Sequence, residues 1–280
     1  MFRLPIRMPT QHEKAHRFRA LHQRPGIFVF PNPWDGASAR ILAALGFEAL
    51  ATSSAAGAAI FGRRDGRVTR DEALSQARLM VDAVDLPVAA DLEHGFGARP
   101  AIVAETIRRA AEAGLVGGSI EDATGSSDEP LFDLTLATER IAAAAEAARG
   151  LAFPFMLTAR AENFVRGRPD LADTIKRLQA YERAGADVLF APGLRDLASI
   201  REVCASVSKP VNVIGAVAGA SFTVADLAAA GVKRVSLAAS LYRAALTGLV
   251  QAAGEVRVAG SFGFVDKIMT TGELNGYLPT

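Results

Sequence analysis

Cysteine is nearly absent from the 280-residue chain: Cys204 stands alone. No internal disulfide can form, and no cysteine-rich zinc site can be assembled. Histidine is sparse too, with four in all, so zinc fits this chain poorly. No apolar run approaches the roughly 20 residues that span a bilayer, because the Ala/Val-rich stretches are broken by Arg, Asp, Glu or Gly. Excess charge is missing as well: 31 Lys and Arg stand against 30 Asp and Glu, a net charge of +1. A field strong enough to attract nucleic acid or an anionic membrane is therefore excluded, and a small molecule is the expected partner. Met1 to Thr10 lack the apolar core of a secretory signal, which with the lone cysteine points to the cytoplasm.

Half of the chain is hydrophobic, enough to bury a large core, and its length suits one α/β barrel over residues 1–280. Short β-branched or aromatic runs alternate with longer Ala/Leu/Arg/Glu segments of helical period, as in Pro100 to Ala113. Strands are expected at Ile27 to Phe30, Ala49 to Thr52, Val88 to Asp91, Val116 to Glu121, Phe155 to Arg160, Val188 to Phe190, Val211 to Ile214 and Val235 to Leu237. Gly46, Gly114, Gly185 and Gly231 each end a helix just before a strand, where a left-handed residue is wanted. Eight parallel strands predict a (β/α)8 TIM-type barrel. The rival, an open doubly wound sheet, lacks a GxGxxG after its first strand. An extra helix is expected over Thr10 to Leu21, and an apolar helix over Leu241 to Ala253 followed by Val256 to Val265.

In such a barrel, chemistry sits at the carboxyl ends of the strands. There the second strand presents Thr52, Ser53, Ser54 and Ala55, the third Asp91 and Glu93, the fourth Glu121 and Asp122, and the fifth Arg160 with Glu162 behind it. Asp65 lies in the loop after the second strand. A buried Val/Ala run has no packing reason to end on carboxylates, since an ionised acid leaves water at large cost unless it is paired or metal-bound. The alternative is that these acids cap the helices starting near Pro100 or Thr135, although capping takes one acid and two strands each deliver more than one. Carboxylates from several strands suit a hard cation such as Mg²⁺ or Mn²⁺. Arg160 offers a bidentate fork for a carboxylate or phosphonate, and Ser53 with its neighbouring backbone N–H groups offers neutral donors.

The runs ADLEHGFG, SIEDA, TARAE and ATSSA resemble, in order and spacing, those of the isocitrate lyase and phosphoenolpyruvate mutase superfamily, from about Phe30 to Leu237. Glu93 stands where the second Asp of the family motif is customary. The resemblance implies that Asp91 binds Mg²⁺ directly and that Glu93, Glu121 and Asp65 hold it through waters. It also implies that Ser53 and the backbone of Ser54 and Ala55 meet the substrate carboxylate, and that Arg160 steadies the substrate's anionic end. The implied substrate is a Mg²⁺-bound 2-oxo acid passing through an enolate-like intermediate. Relatives usually form tetramers that exchange a C-terminal helix, so a homo-oligomer with swapped C-terminal helices is expected.

Such a cation acts as a Lewis acid, stabilising the charge that develops when a C–C or C–P bond beside a 2-oxo group breaks. A Schiff-base aldolase would need a lysine at the catalytic rim. None is there: Lys209 and Lys233 precede strands seven and eight at the opposite face, and Lys14, Lys176 and Lys267 fall in helices or the tail. The lyases of the family carry a catalytic Cys in the loop after SIED, and the mutases carry Lys and Asn there with a His ending strand six. This chain has neither, with Ala123 to Pro130 in the loop and Phe190 leading into Ala191. The expectation is a lyase or decarboxylase acting on a small 2-oxo or 2-hydroxy di- or tricarboxylic acid, oxaloacetate-like. The alternatives are a phosphonomutase or phosphonopyruvate hydrolase, and an inactive barrel that binds a 2-oxo acid. His94 is either an acid or base near the metal or a rim residue, and Asn212 either meets substrate or is a satisfied core amide. Trp34 floors the pocket or caps the barrel. Asp35 is read as an N-cap, Cys204 as packing, and Gly125 to Ser127 as a lid or a surface loop.

Overall fold

Parallel β-strands arranged around a common axis, each followed by a helix on the outside, make up the chain. The structure, a computed structural model, describes residues 8–220 and 222–278, so most of the stretch read for a secretory core lies outside the described residues. The strands are β1 (Phe28–Phe30), β2 (Leu50–Ala51), β3 (Val88–Asp91), β4 (Gly117–Glu121), β5 (Met156–Arg160), β6 (Val188–Phe190), β7 (Val211–Ile214) and β8 (Arg234–Ser236). They pair in the order β1-β8-β7-β6-β5-β4-β3-β2. The remaining gap between β1 and β2 is bridged by the Ala51 N–H donating to Pro31 O at 3.0 Å. Asn32 adds to this closure, its Nδ2 donating to Thr52 O and its Oδ1 accepting from the Leu237 N–H. The (β/α)8 expectation thus holds, with strand ends within a residue or so of those read from the pattern. The shift at β8 matters, because it brings Arg234 into the strand.

The outer ring consists of α2 (Gly36–Ala44), α3 (Ser54–Ile60), α4 (Arg70–Ala83), α5 (Pro100–Glu112), α6 (Leu134–Arg149), α7 (Leu171–Ala184), α8 (Leu197–Ala205) and α9 (Val224–Ala229). The four punctuating glycines all adopt positive φ, from 88° at Gly46 to 107° at Gly185, the left-handed stop that glycine takes without strain. Asp35 caps α2, accepting from the Ser38 N–H at 2.7 Å. The alternative, that the strand-end acids cap the helices starting near Pro100 or Thr135, fails: α5 has no side-chain cap, and α6 is capped by Asp133.

The helix expected near the N-terminus is α1 (Gln11–Gln23), started by a capping box between Thr10 and Glu13. It closes the amino-terminal end of the barrel. Phe18 inserts among the inward-facing Phe28, Phe30, Ala89, Val116, Met156 and Val188. Gly117 is required there, since a Cβ would lie 2.9 Å from both Phe18 Cε1 and Met156 O. Lys14 and Lys233 bond to backbone carbonyls at this same end, Lys14 to Val84 O and Lys233 to Arg24 O and Gly26 O. Neither is near the strand carboxyl ends. Beyond β8, α10 (Ser240–Ala259) runs unbroken past Ala253 and stops at Gly260, φ 65°. A short 3-10 turn (Gly263–Lys267) and α11 (Thr271–Gly276) follow. None of the residues of α10 is buried, and no helix among the described residues is long and apolar enough to cross a membrane.

Candidate active site

Asp91, Glu121 and Arg160 end three adjacent strands, β3, β4 and β5, and the parallel register sets Glu121 directly beside Arg160. Strand polarity alone therefore delivers two acids and a guanidinium to one rim. Arg160 Nη1 donates to Asp91 Oδ1 at 2.9 Å, Nη2 lies 3.1 Å from Glu121 Oε2, and Nε and Nη2 both reach Glu162 Oε1. Arg166 joins the cluster, its Nη2 donating to Glu121 Oε1 at 3.1 Å while its Nε lies 3.5 Å from Glu162 Oε2. Two of the acids expected at a cation, Asp91 and Glu121, meet the Arg160 guanidinium. Among the described residues, no three acidic or imidazole side chains stand close enough to form a ready-made metal cage.

The charges in this cluster do not balance. Asp91, Glu93, Glu121 and Glu162 face two guanidinium groups, leaving two negative charges over when all four acids are ionised. Burial and the neighbouring Asp91 and Asp65 push the Glu93 carboxyl up to about 7. Burial likewise raises the carboxyls of Glu121 and Glu162, against the pull of Arg160. Burial opposes ionisation of Asp91 too, but Arg160 and the N–H groups of Glu93 and Ser54 outweigh it, so Asp91 stays below the usual carboxylate range. Glu93 Oε1 is buried with no hydrogen-bond partner. A buried acceptor without a donor is costly, and a divalent cation would supply the missing partner. The residues present therefore fit a hard dication.

The loop that carries Glu93 is held in an unusual shape. Glu93 and Phe96 both lie at positive φ, 48° and 60°, a conformation that costs non-glycine residues about 1 kcal/mol or more. Arg140 of α6 holds it from below: its guanidinium donates to the carbonyls of His94, Gly97 and Ala98 and lies 4.0 Å from the Phe132 ring centroid. His94 thus contributes a backbone carbonyl to this anchor, while its ring packs near Phe96 and stays off the central cavity. Burial, Arg140 and Arg166 depress its pKa. Asp65 sits in an exposed turn and accepts from the Gly66 N–H. That turn lies against the site, since a Cβ on Gly66 would be 3.9 Å from Glu93 Oε2.

A cavity of ≈ 80 Å³ opens at this rim and descends into the barrel, with Ser53, Asp91 and Arg160 at its mouth and Thr158, Asn212 and Arg234 deeper in. That is room for a few water molecules or a small acid. Ser53 precedes α3 and makes no capping bond, leaving its hydroxyl to the cavity. The Ser54 N–H points to Asp91 Oδ2 at 3.3 Å, and Ala55 begins the same helix. Asn212 is a satisfied amide, donating to Ser236 Oγ and accepting from Arg234 Nε at 2.8 Å. Trp34 lies outside the cavity against Tyr242. Cys204 packs beside Gly231 on the outer layer, its thiol pushed up to about 11 by burial. Gly125 to Ser127 belong to an exposed turn tied at its base by the bridge between Ala123 and Leu131.

Sequence reasoning missed Arg140, Arg166, Arg234 and the role of Asp122. Asp122 is buried, accepting from the Glu162 N–H, from Tyr181 Oη at 2.6 Å and from Arg177 Nη1 at 3.0 Å. It locks the end of β4 to β5 and α7. No local pattern announces such partners, which come from other strands, turns and helices of the chain.

The profile of the phosphoenolpyruvate phosphomutase family matches residues 18–257. The chain is 30% identical to the oxaloacetate decarboxylase of Marinomonas sp. (strain MWYL1), over 74% of this chain and 72% of that protein. It is 31% identical to the 2-methylisocitrate lyase of Bacillus subtilis (strain 168), over 72% and 67%. A crystal structure from Burkholderia cenocepacia J2315, described at the level of lyase/mutase, superposes with a TM-score of 0.94 at 52% identity, covering 96% of this chain and 97% of that one. With a family profile spanning most of its length and the same barrel in its relatives, the chain belongs to the phosphoenolpyruvate phosphomutase family of the isocitrate lyase and phosphoenolpyruvate mutase superfamily, and is an enzyme of its lyase and mutase type.

Proposed function

We propose that this enzyme holds Mg²⁺, or Mn²⁺ in its place, at the rim formed by Asp91, Glu93 and Glu121 with Asp65 behind them, and cleaves a C–C bond in a small 2-oxo or 2-hydroxy acid of the oxaloacetate type. One observation carries the reading: Glu93 Oε1 is buried in an acidic cluster with no donor among the described residues. When bound, the cation polarises the substrate's 2-oxo group and offsets the charge that grows on its oxygen. Asp91, the acid most firmly ionised, is the direct ligand, with Glu93, Glu121 and Asp65 as outer partners. Ser53 and the N–H groups of Ser54 and Ala55 receive the substrate carboxylate. Arg160, whose N–H groups meet Asp91, Glu121 and Glu162, would steady the substrate's anionic end at the rim. Asp122, Arg140 and Arg177 keep the strand ends and the Glu93 loop in place.

The relatives named oxaloacetate decarboxylase and 2-methylisocitrate lyase support C–C cleavage. The turn from Ala123 to Pro130 contains neither Cys nor Lys, which favours a reaction in which that loop supplies no proton, such as decarboxylation. The test is pyruvate release from oxaloacetate with Mg²⁺ present and with a chelator, alongside phosphonopyruvate as the C–P substrate. The expected outcome is metal-dependent turnover of oxaloacetate, reduced by about two orders of magnitude or more in Glu93→Gln. Turnover that ignores the chelator would refute the metal reading, and phosphonopyruvate turnover alone would reassign the bond. Because metal binding displaces protons from raised carboxyls, Mg²⁺ affinity should climb as pH rises through about 7.

A further inference from the structure

A second guanidinium lies inside the barrel, and nothing balances its charge. Arg234 is the first residue of β8 and points inward, only 4% exposed. Every partner it has is neutral. Nε donates to Asn212 Oδ1 at 2.8 Å, Nη2 to Thr158 Oγ1 at 2.9 Å and Nη1 to His22 Nε2 at 3.1 Å, and the guanidinium carbon lies 4.8 Å from the Phe30 ring centroid. Among the described residues no carboxylate forms an ion pair with it. Arg160 above is the opposite case, ringed by three acids.

A guanidinium has five N–H donors in a planar fork. Three are used here, leaving one on each terminal nitrogen of Arg234. An uncompensated buried charge is strongly disfavoured, and a TIM barrel ordinarily fills its axis with branched apolar side chains. Here the small residues Ala51, Ala89 and Ser119 leave space between Phe30, Phe190 and Ile214 along the same cavity. That cavity runs without interruption from Ser53 and Arg160 at the mouth to Arg234 at the floor. Thr158 lies two residues below Arg160 on β5, so the floor is roughly 6–7 Å deeper than the mouth at about 3.3 Å per residue. A four-carbon dicarboxylate fits that depth, one end at the metal rim and the other at the floor.

We propose that Arg234, set by Thr158 and Asn212, forms an anion subsite at the cavity floor that receives the distal carboxylate of a dicarboxylic substrate. The assignment rests on the metal-rim reading above and adds the chain length and second charge of the molecule bound there. Arg234 is thereby a specificity-determining residue, separating dicarboxylic from monocarboxylic 2-oxo and 2-hydroxy acids. The competing explanation is purely structural, with Arg234 serving only to tie His22 of α1 to the barrel wall.

The two acids malate and lactate make the test, since both chelate Mg²⁺ through a hydroxyl and a carboxylate and only malate has a distal carboxylate. Calorimetric titration of the full chain with Mg²⁺ should show malate bound about tenfold or more tighter than lactate. In Arg234→Gln that preference should vanish while lactate affinity stays within about twofold. Equal affinity of the wild type for both acids, or an equal weakening of both in the variant, would overturn the subsite while leaving the metal rim intact. Failure of the wild type to bind oxalate with Mg²⁺ would instead remove the rim, and the subsite with it. Should Arg234→Gln fail to fold, a crystal structure of the wild type with Mg²⁺ and malate decides: a carboxylate oxygen within hydrogen-bond distance of Arg234 is expected, and a malate turned toward solvent would refute it.

Discussion

His22 shows how partners dictate a protonation state. Its Nδ1 is 2.8 Å from Phe18 O, an acceptor, and its Nε2 faces Arg234 Nη1, a donor. The ring must therefore be neutral with its proton on Nδ1. Burial first, then Arg234, lowers its pKa to about 3. The folded state thus holds fewer protons than the unfolded chain between about pH 3 and the ordinary histidine value near 6.5. The stability His22 contributes is whole above about pH 6.5 and declines as pH falls through that window. Urea unfolding should show a loss on the order of 2 kcal/mol between pH 6.5 and 5 from this residue, with a flatter acid limb in His22→Gln. Arg140 allows a second prediction. Arg140→Met strands the carbonyls of His94, Gly97 and Ala98 and should destabilise by about 2–4 kcal/mol, read from denaturant midpoints. It should also weaken Mg²⁺ binding, because the loop it anchors carries Glu93.

Among the elements, α1 has the clearest separate task. Its polar face starts at a capping box, and its apolar face places Phe18, fully buried, at the amino-terminal mouth of the barrel. A plug of this kind was visible as a helix over Thr10 to Leu21, but its seat was not, because Phe18 meets strands spread from β1 to β6. Phe18→Ala should cost about 3–5 kcal/mol through the cavity it leaves. It should also loosen the His22–Arg234 contact, measurable as faster amide exchange in β8. The strands themselves were legible, since buried parallel runs read as short apolar stretches closed by glycine stops. What hid Arg234 was its place in the chain. After Gly231 and beside Lys233 it reads as a solvated turn charge, and only barrel closure turns it inward.

For the whole molecule, the exposed apolar surface is concentrated after β8. Val250 is 70% exposed, Val258 88% and Phe262 65%, with Leu249, Val265, Ile268 and Met269 each more than half exposed. Apolar patches of this extent seldom face water in an isolated subunit. We expect α10 and the segment after it to be covered by other copies of the chain, in keeping with the helix exchange that the family resemblance implies. Light scattering should give a multiple of 29.4 kDa, and Val258→Asp with Phe262→Asp should shift it toward the single-chain mass. A wild-type mass equal to one chain would refute the assembly.

The amino-acid sequence alone determined the barrel, since hydrophobic period, glycine stops and strand number are local properties summed along the chain. It also determined which acids and which arginine arrive at the carboxyl rim, because strand polarity sends the last residue of every parallel strand to the same end. Only the tertiary structure decided how those charges are shared. Arg160 stands among three carboxylates, Glu93 Oε1 keeps no donor, and Arg234, 212 positions beyond its partner His22, faces the axis with its charge unmatched. Electrostatic balance depends on distances through space across a low-dielectric interior, and those distances exist only once the chain has closed.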